Sequence, residues 1–233
     1  MDTNIILDFL NDLELNNSSE WMKENKQRYD SAKAEFENLI QELINRISHF
    51  DASYTGLTPA NMIFRLNRDI RFSKDKSPYT PAFRAHISPA GKYPIPVGFF
   101  IHVKPNNILL GGGIYTSQIP EATKLIRKHI SDNSNDFFNI INNPDFSMNF
   151  VIQGEKLKKV PKEYSDKSPV SEYLKHKSWD IYTKIEDDYF LQSDLFIDYV
   201  ICKIKEMKPF NDFINKGLSS LSITPNKSNT III

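Results

Sequence analysis

Apolar residues recur every three or four positions through the first fifty residues, alternate at every second position over the next stretch, and return to helical spacing beyond residue 113. Ile5, Ile6, Phe9, Leu10 and Leu13 form a first helical stripe. A polar break at Asn16–Ser19 follows, with Asn17 placed to cap a helix and Glu20 three residues on in capping-box register. Trp21, Tyr29, Ala32, Phe36, Leu39 or Ile40, Leu43 and Ile47 then predict one long amphipathic helix from Ser18 to Ser48. From Met62 to Phe72 the period is two. Met62, Phe64, Leu66, Ile70 and Phe72 point one way, and Ile63, Arg65, Asn67, Asp69 and Arg71 point the other. Arg68 breaks the apolar row and marks a strand end or a bulge.

Further strands are expected at Ala82–Ser88, Val97–Lys104 and Ile108–Gly111, with Lys104–Asn107 as a hairpin turn. After the Gly111–Gly113 run, Ser117 is read as an N-cap. Ile119, Ala122, Leu125, Ile126 and Ile130 follow as the stripe of a helix with Pro120 in its first turn. A short helix over Asn135–Ile141, strands at Phe150–Ile152 and Trp179–Ile185, and a closing helix from Asp187 to Lys216 complete the series. Helices flanking a mainly antiparallel sheet define an α+β fold. Residues 1–217 are expected to form a single domain, and residues 218–233 a flexible polar tail.

Composition changes this picture little: 40% hydrophobic and 25% charged residues are ordinary for a globular chain. The lone Cys202 excludes an internal disulfide framework and fits a reducing compartment. The first ten residues lack a basic n-region, and the longest nearly apolar run, Pro94–Val103, is too short to span a bilayer. A soluble, cytoplasmic protein without a membrane partner is expected.

Charge changes the picture more. The formal net charge is zero, but residues 1–60 carry five Lys and Arg against eleven Asp and Glu, whereas residues 61–113 carry eight against two. Either the acidic segment packs near the basic one, or the basic stretch lines a site for an anion. Five of those cations, Arg65, Arg68, Arg71, Lys74 and Lys76, fall within FRLNRDIRFSKDKSPY, residues 64–79, together with Asp69 and Asp75. Arginine offers a planar fork of donors suited to phosphate or carboxylate, and Asp69 between two arginines can hold their rotamers. A solvated face, an ion-pair ladder and a docking surface for the acidic helix are the plainer readings of the same row.

Neighbouring strands put Arg84, His86 and Ser88 on one face and His102 and Lys104 on another. A histidine among arginines can act as acid or base near neutral pH, so His86, His102 and Asp69 are the catalytic candidates. Gly111, Gly112 and Gly113, read as lying between a strand and a helix, could cradle an anion with backbone N–H groups. Metal-ligand spacings, nucleotide-binding glycine motifs and a nucleophile elbow are missing, so no metal and no cofactor are expected. The acidic run Glu186–Asp188 reads as a helix start in preference to a cation site.

The string RDIRFSKDKSPY, followed by GFFIHVKP and LLGGGIY, resembles the bacterial and fungal proteins grouped as domain of unknown function 2461. The likeness extends through NNSSEWMKENKQRYDSAKAEF and LKKVPKEYSDKSPVSEYLKHKSW, covering most of residues 4–215. It implies one compact domain and adds Tyr79, Lys175 and Lys177, and the helical set Trp21, Asn25 and Tyr29, to the shared positions. It supplies no substrate.

Three functions follow. The first is a basic pocket for a phosphate- or carboxylate-bearing small molecule, in an enzyme or a binding protein. The second is a nucleic-acid-binding module, weakened by overall neutrality. The third is an interaction protein that docks an acidic partner through its Arg/Lys face.

Overall fold

The computed structural model describes residues 1–115 and 119–221. Its helices are α1 (Thr3–Leu15), α2 (Ser19–Glu24), α3 (Lys26–Ser48), α4 (Pro120–Asp132), α5 (Ser134–Ile141), α6 (Pro144–Ser147), α7 (Ser171–Leu174), α8 (Asp187–Phe190) and α9 (Ser193–Gly217). Its strands are β1 (Phe83–Ile87), β2 (Phe99–Val103), β3 (Ile108–Ile114) and β4 (Trp179–Ile185), which form one antiparallel sheet in the order β1-β2-β3-β4. The fold is α+β, as the change of hydrophobic period requires. The Ser117 cap and most of the C-terminal tail lie outside the described residues.

The chain condenses into two compact units, each assembled from several segments. One holds Met1–Lys92, Phe100–Leu110 and Lys184–Cys202; the other holds Tyr93–Phe99, Gly111–Thr183 and the described residues from Lys203 onward.

In the first unit α1 and α3 pack together, and α3 lies on β1. Their contact is aromatic: the Phe36 and Phe83 rings stack at 5.2 Å, and Phe9 lies 5.7 Å from Tyr29, 6.0 Å from Trp21 and 6.2 Å from Phe83. Phe9, Phe36 and Phe83 are fully buried, each removing a large apolar area from water. The expected long helix is interrupted at Asn25, whose amide nitrogen turns back to donate to the Trp21 carbonyl (3.0 Å) and so ends α2. The α2 cap is Ser18, whose hydroxyl accepts from the Trp21 N–H, and not Asn17. The hairpin at Lys104–Asn107 forms as expected, with Asn106 at φ 61° and its N–H donating to the Asp187 carboxylate at the start of α8.

In the second unit Phe137 contacts Tyr173 (5.0 Å) and Phe213 (5.5 Å), and the His129 ring lies on Phe213 at 4.4 Å. Trp179 is fully buried and donates its indole N–H to the Tyr173 carbonyl. The short strand expected at Phe150–Ile152 is displaced: the pairing begins at Gln153, which bridges Asp180, and continues with Lys156 opposite His176. Gly154, at φ 111°, lets the chain approach Ser178 and Asp180 there.

Candidate functional basic loop

The segment expected to be a strand from Met62 to Phe72 is extended only as far as Arg68. Up to that point the alternation holds. Met62, Phe64 and Leu66 are buried, whereas Arg65 and Asn67 face out. Antiparallel bonds run from the His86 N–H to the Met62 carbonyl and from the Phe64 N–H to the Arg84 carbonyl. After a tight turn at Thr80–Ala82 the register shifts. The Thr80 N–H then meets the Leu66 carbonyl, and the Arg68 N–H meets that of Pro78. Residues 69–77 are therefore the turn of an irregular hairpin and not the end of a strand.

Two aspartates build that turn. The Asp69 carboxylate accepts from the Arg71 backbone N–H and grips its guanidinium through Nε (2.9 Å) and Nη2 (2.6 Å). Asp75 accepts from the Ser77 N–H (2.9 Å) and hydroxyl (2.7 Å), and its other oxygen pairs with Arg68. Both are Asx turns, in which a carboxylate competes with the ladder for backbone N–H groups. Hydrogen bonding from the Arg71 guanidinium and backbone holds Asp69 down to about 2. The Ser77 N–H, then Arg68, hold Asp75 far below the usual carboxylate range. Lys76 Nζ donates to the Ile70 carbonyl at 3.0 Å. The base of the hairpin is clamped by Asn17, whose side chain accepts from the Tyr79 N–H (3.1 Å) and donates to the Tyr79 carbonyl (2.9 Å).

Asp69 and Asp75 thus engage Arg71 and Arg68, leaving a net charge of +3 over residues 65–76. Arg65, Arg71, Lys74 and Lys76 are exposed, with the Arg71 side chain 76% accessible. Tyr79 is half-buried. Phe72, assigned to the core side by its place in the alternation, is instead 94% exposed. The chain leaves the pleat at Asp69, so the parity of position 72 no longer predicts its face. The cue in the sequence was Asp two residues before a loop N–H, at both 69 and 75.

The acidic and basic segments meet through Lys104 and Glu14 at 2.6 Å; the expected pair between one of Glu20, Glu24, Asp30 or Glu35 and a cation of residues 61–84 is not seen among the described residues. Asp30 pairs instead with Lys26 on its own helix, and Glu35 accepts from the Asp2 N–H.

The remaining candidates are distributed differently. His86 is buried in β1, its Nδ1 2.8 Å from the Gly91 carbonyl, and so serves the backbone. His102 in β2 has a buried Nε2 that makes no hydrogen bond among the described residues. Burial, then the charges of Arg84 and Lys104, lower its pKa to about 4, so the ring is neutral at pH 7 and does not titrate near neutrality. Gly111, Gly112 and Gly113 lie inside β3, not between strand and helix as expected. Gly113, at φ 76°, gives its N–H to Asn211 Oδ1 (2.7 Å), and a Cβ there would meet the Trp179 carbonyl oxygen at 2.1 Å. That N–H is committed to a side chain and is not open to an anion. Lys177, in the second unit, pairs with Glu155 at 2.8 Å, and Lys175 with Glu172 at 2.5 Å.

The fold and its best-defined polar feature describe an α+β protein that presents a braced basic hairpin. The family described as "Conserved hypothetical protein (DUF2461)" matches residues 5–213, and the chain belongs to it. No curated protein and no solved structure matches the chain.

Proposed function

We propose that this protein recognises an anionic group, phosphate or carboxylate, through the hairpin of residues 65–76, and does so as a binding module. One observation carries the reading: four cations, Arg65, Arg71, Lys74 and Lys76, are exposed on a hairpin whose turn is held by its own carboxylates. The internal pairs Asp69–Arg71 and Asp75–Arg68 order the turn before any partner arrives, which lowers the entropy lost on binding. The excess charge stands on exposed side chains, an arrangement that suits an anion displayed on a larger partner better than a small molecule enclosed on several sides.

The test is charge reversal at Arg65 and Lys74, both exposed. Wild type is expected to elute from immobilised heparin at clearly higher salt than the Arg65→Glu/Lys74→Glu variant, with equal melting temperatures. Co-elution of the two overturns the reading. A rise in melting temperature with inorganic phosphate alone, seen in wild type and lost in the variant, would return the loop to the small-molecule function first read from the sequence.

A further inference from the structure

The hairpin carries an apolar side chain that recognition of an anion alone does not use. Phe72 is the most exposed large hydrophobic residue described in the protein, at 94%. Its ring lies 5.9 Å from the Arg71 guanidinium carbon, and exposed Lys74 and Lys76 follow. Half-buried Ile70 lies two residues before it. The Asx turn at Asp69 directs this ring outward, and Asp75 closes the turn behind it.

An apolar tip ringed by cations is the chemistry of an interfacial contact: the ring enters the boundary between headgroups and acyl chains while Arg and Lys keep their charges among the phosphates. Resting on the anion reading above, we propose that the partner is an anionic bilayer surface, with Phe72 inserted and Arg65, Arg71, Lys74 and Lys76 at headgroup level. Charge complementarity favours this occupant. The whole chain is neutral while the hairpin carries +3, so attraction to a negative plane is concentrated at the hairpin and turns it toward that plane. A single-stranded nucleic acid is less well matched, because it is held by successive aromatic platforms along a basic groove, and Phe72 is the one aromatic in residues 65–78. Peripheral contact needs no spanning segment, and none of the described helices is long and apolar enough to cross a membrane. The absence of a spanning run, which led to the expectation of no membrane partner, does not bear on peripheral contact.

The experiment uses the full chain carrying Phe72→Trp, read against wild type to subtract Trp21 and Trp179. Vesicles of phosphatidylcholine mixed with phosphatidylserine are expected to shift its emission to the blue, whereas phosphatidylcholine alone leaves it unchanged. Phe72→Ser should lower pelleting with the mixed vesicles several-fold while keeping its elution from heparin, because the ring contributes to lipid and not to soluble polyanion. Heparin retention without a vesicle shift or pelleting overturns the lipid assignment and leaves the anion reading standing. A shift with a single-stranded oligonucleotide but not with vesicles also overturns it, in favour of nucleic acid. Loss of all three, heparin, oligonucleotide and vesicles, removes the underlying reading as well.

Discussion

His102 shows how a single residue couples burial to pH. Its folded pKa is about 4 against an ordinary 6.5. Between these values the unfolded chain binds a proton that the folded chain refuses, so protonation pulls the equilibrium toward unfolding. The stabilisation from a neutral His102 is therefore complete above pH 6.5 and is lost as pH falls toward 4, below which both states are charged. The urea midpoint of wild type should drop more steeply from pH 7 to 4.5 than that of His102→Gln, which has no proton to take. A His102 imidazole signal titrating near 6.5 in the folded protein would contradict this account. The same depressed value leaves His102 without a proton to donate near pH 7.

At the scale of elements, two amides of α9 hold extended backbone, Asn215 at both polar groups of Val97 and Asn211 at Gly98 and Gly113. Asn211 is buried, accepts from the Gly113 N–H at 2.7 Å and donates to the Gly98 carbonyl at 2.8 Å. Asn211→Leu removes both of these bonds from partly or fully buried backbone, at a cost of about 1–3 kcal/mol each. Chemical denaturation should show a loss of about 2–4 kcal/mol for Asn211→Leu, and a smaller loss for Asn211→Asp, which keeps the acceptor. Nothing in the local sequence marked this residue, since an asparagine midway along a helix reads as a weak helix former. The helical stripes around Phe36 and Ile126 were legible because burial on one face repeats with the helix period over several turns. The strands β1, β2 and β4 were legible because their runs are short, β-branched or aromatic, and bounded by turn residues. Alternation failed as a guide at residues 69–72, where two more apolar residues happened to keep the parity after the backbone had already turned. Asn17 and Ser18 are both competent caps, and only the approach of Tyr79 decides that serine caps the helix while asparagine holds the hairpin.

For the whole molecule, neutrality and local charge act over different distances. Beyond the Debye length, about 10 Å at 0.1 M salt, a surface senses little of either; within it, the hairpin's excess dominates. The hairpin also displays Arg68, Arg71, Lys74 and Lys76, four tryptic cleavage sites within nine residues. A protease must draw such a segment into an extended form before it can cut, so susceptibility reports how often the turn opens. The bonds that Asp75 makes to Arg68 and Ser77 oppose that opening. Trypsin should therefore nick Asp75→Asn in this segment several-fold faster than wild type, with mass spectrometry placing the first new terminus after Arg71 or Lys74. Equal rates would mean that Asp75 does not govern the opening. The carboxylate that sets the shape of the hairpin thereby also sets how long a chain so rich in cleavage sites survives intact.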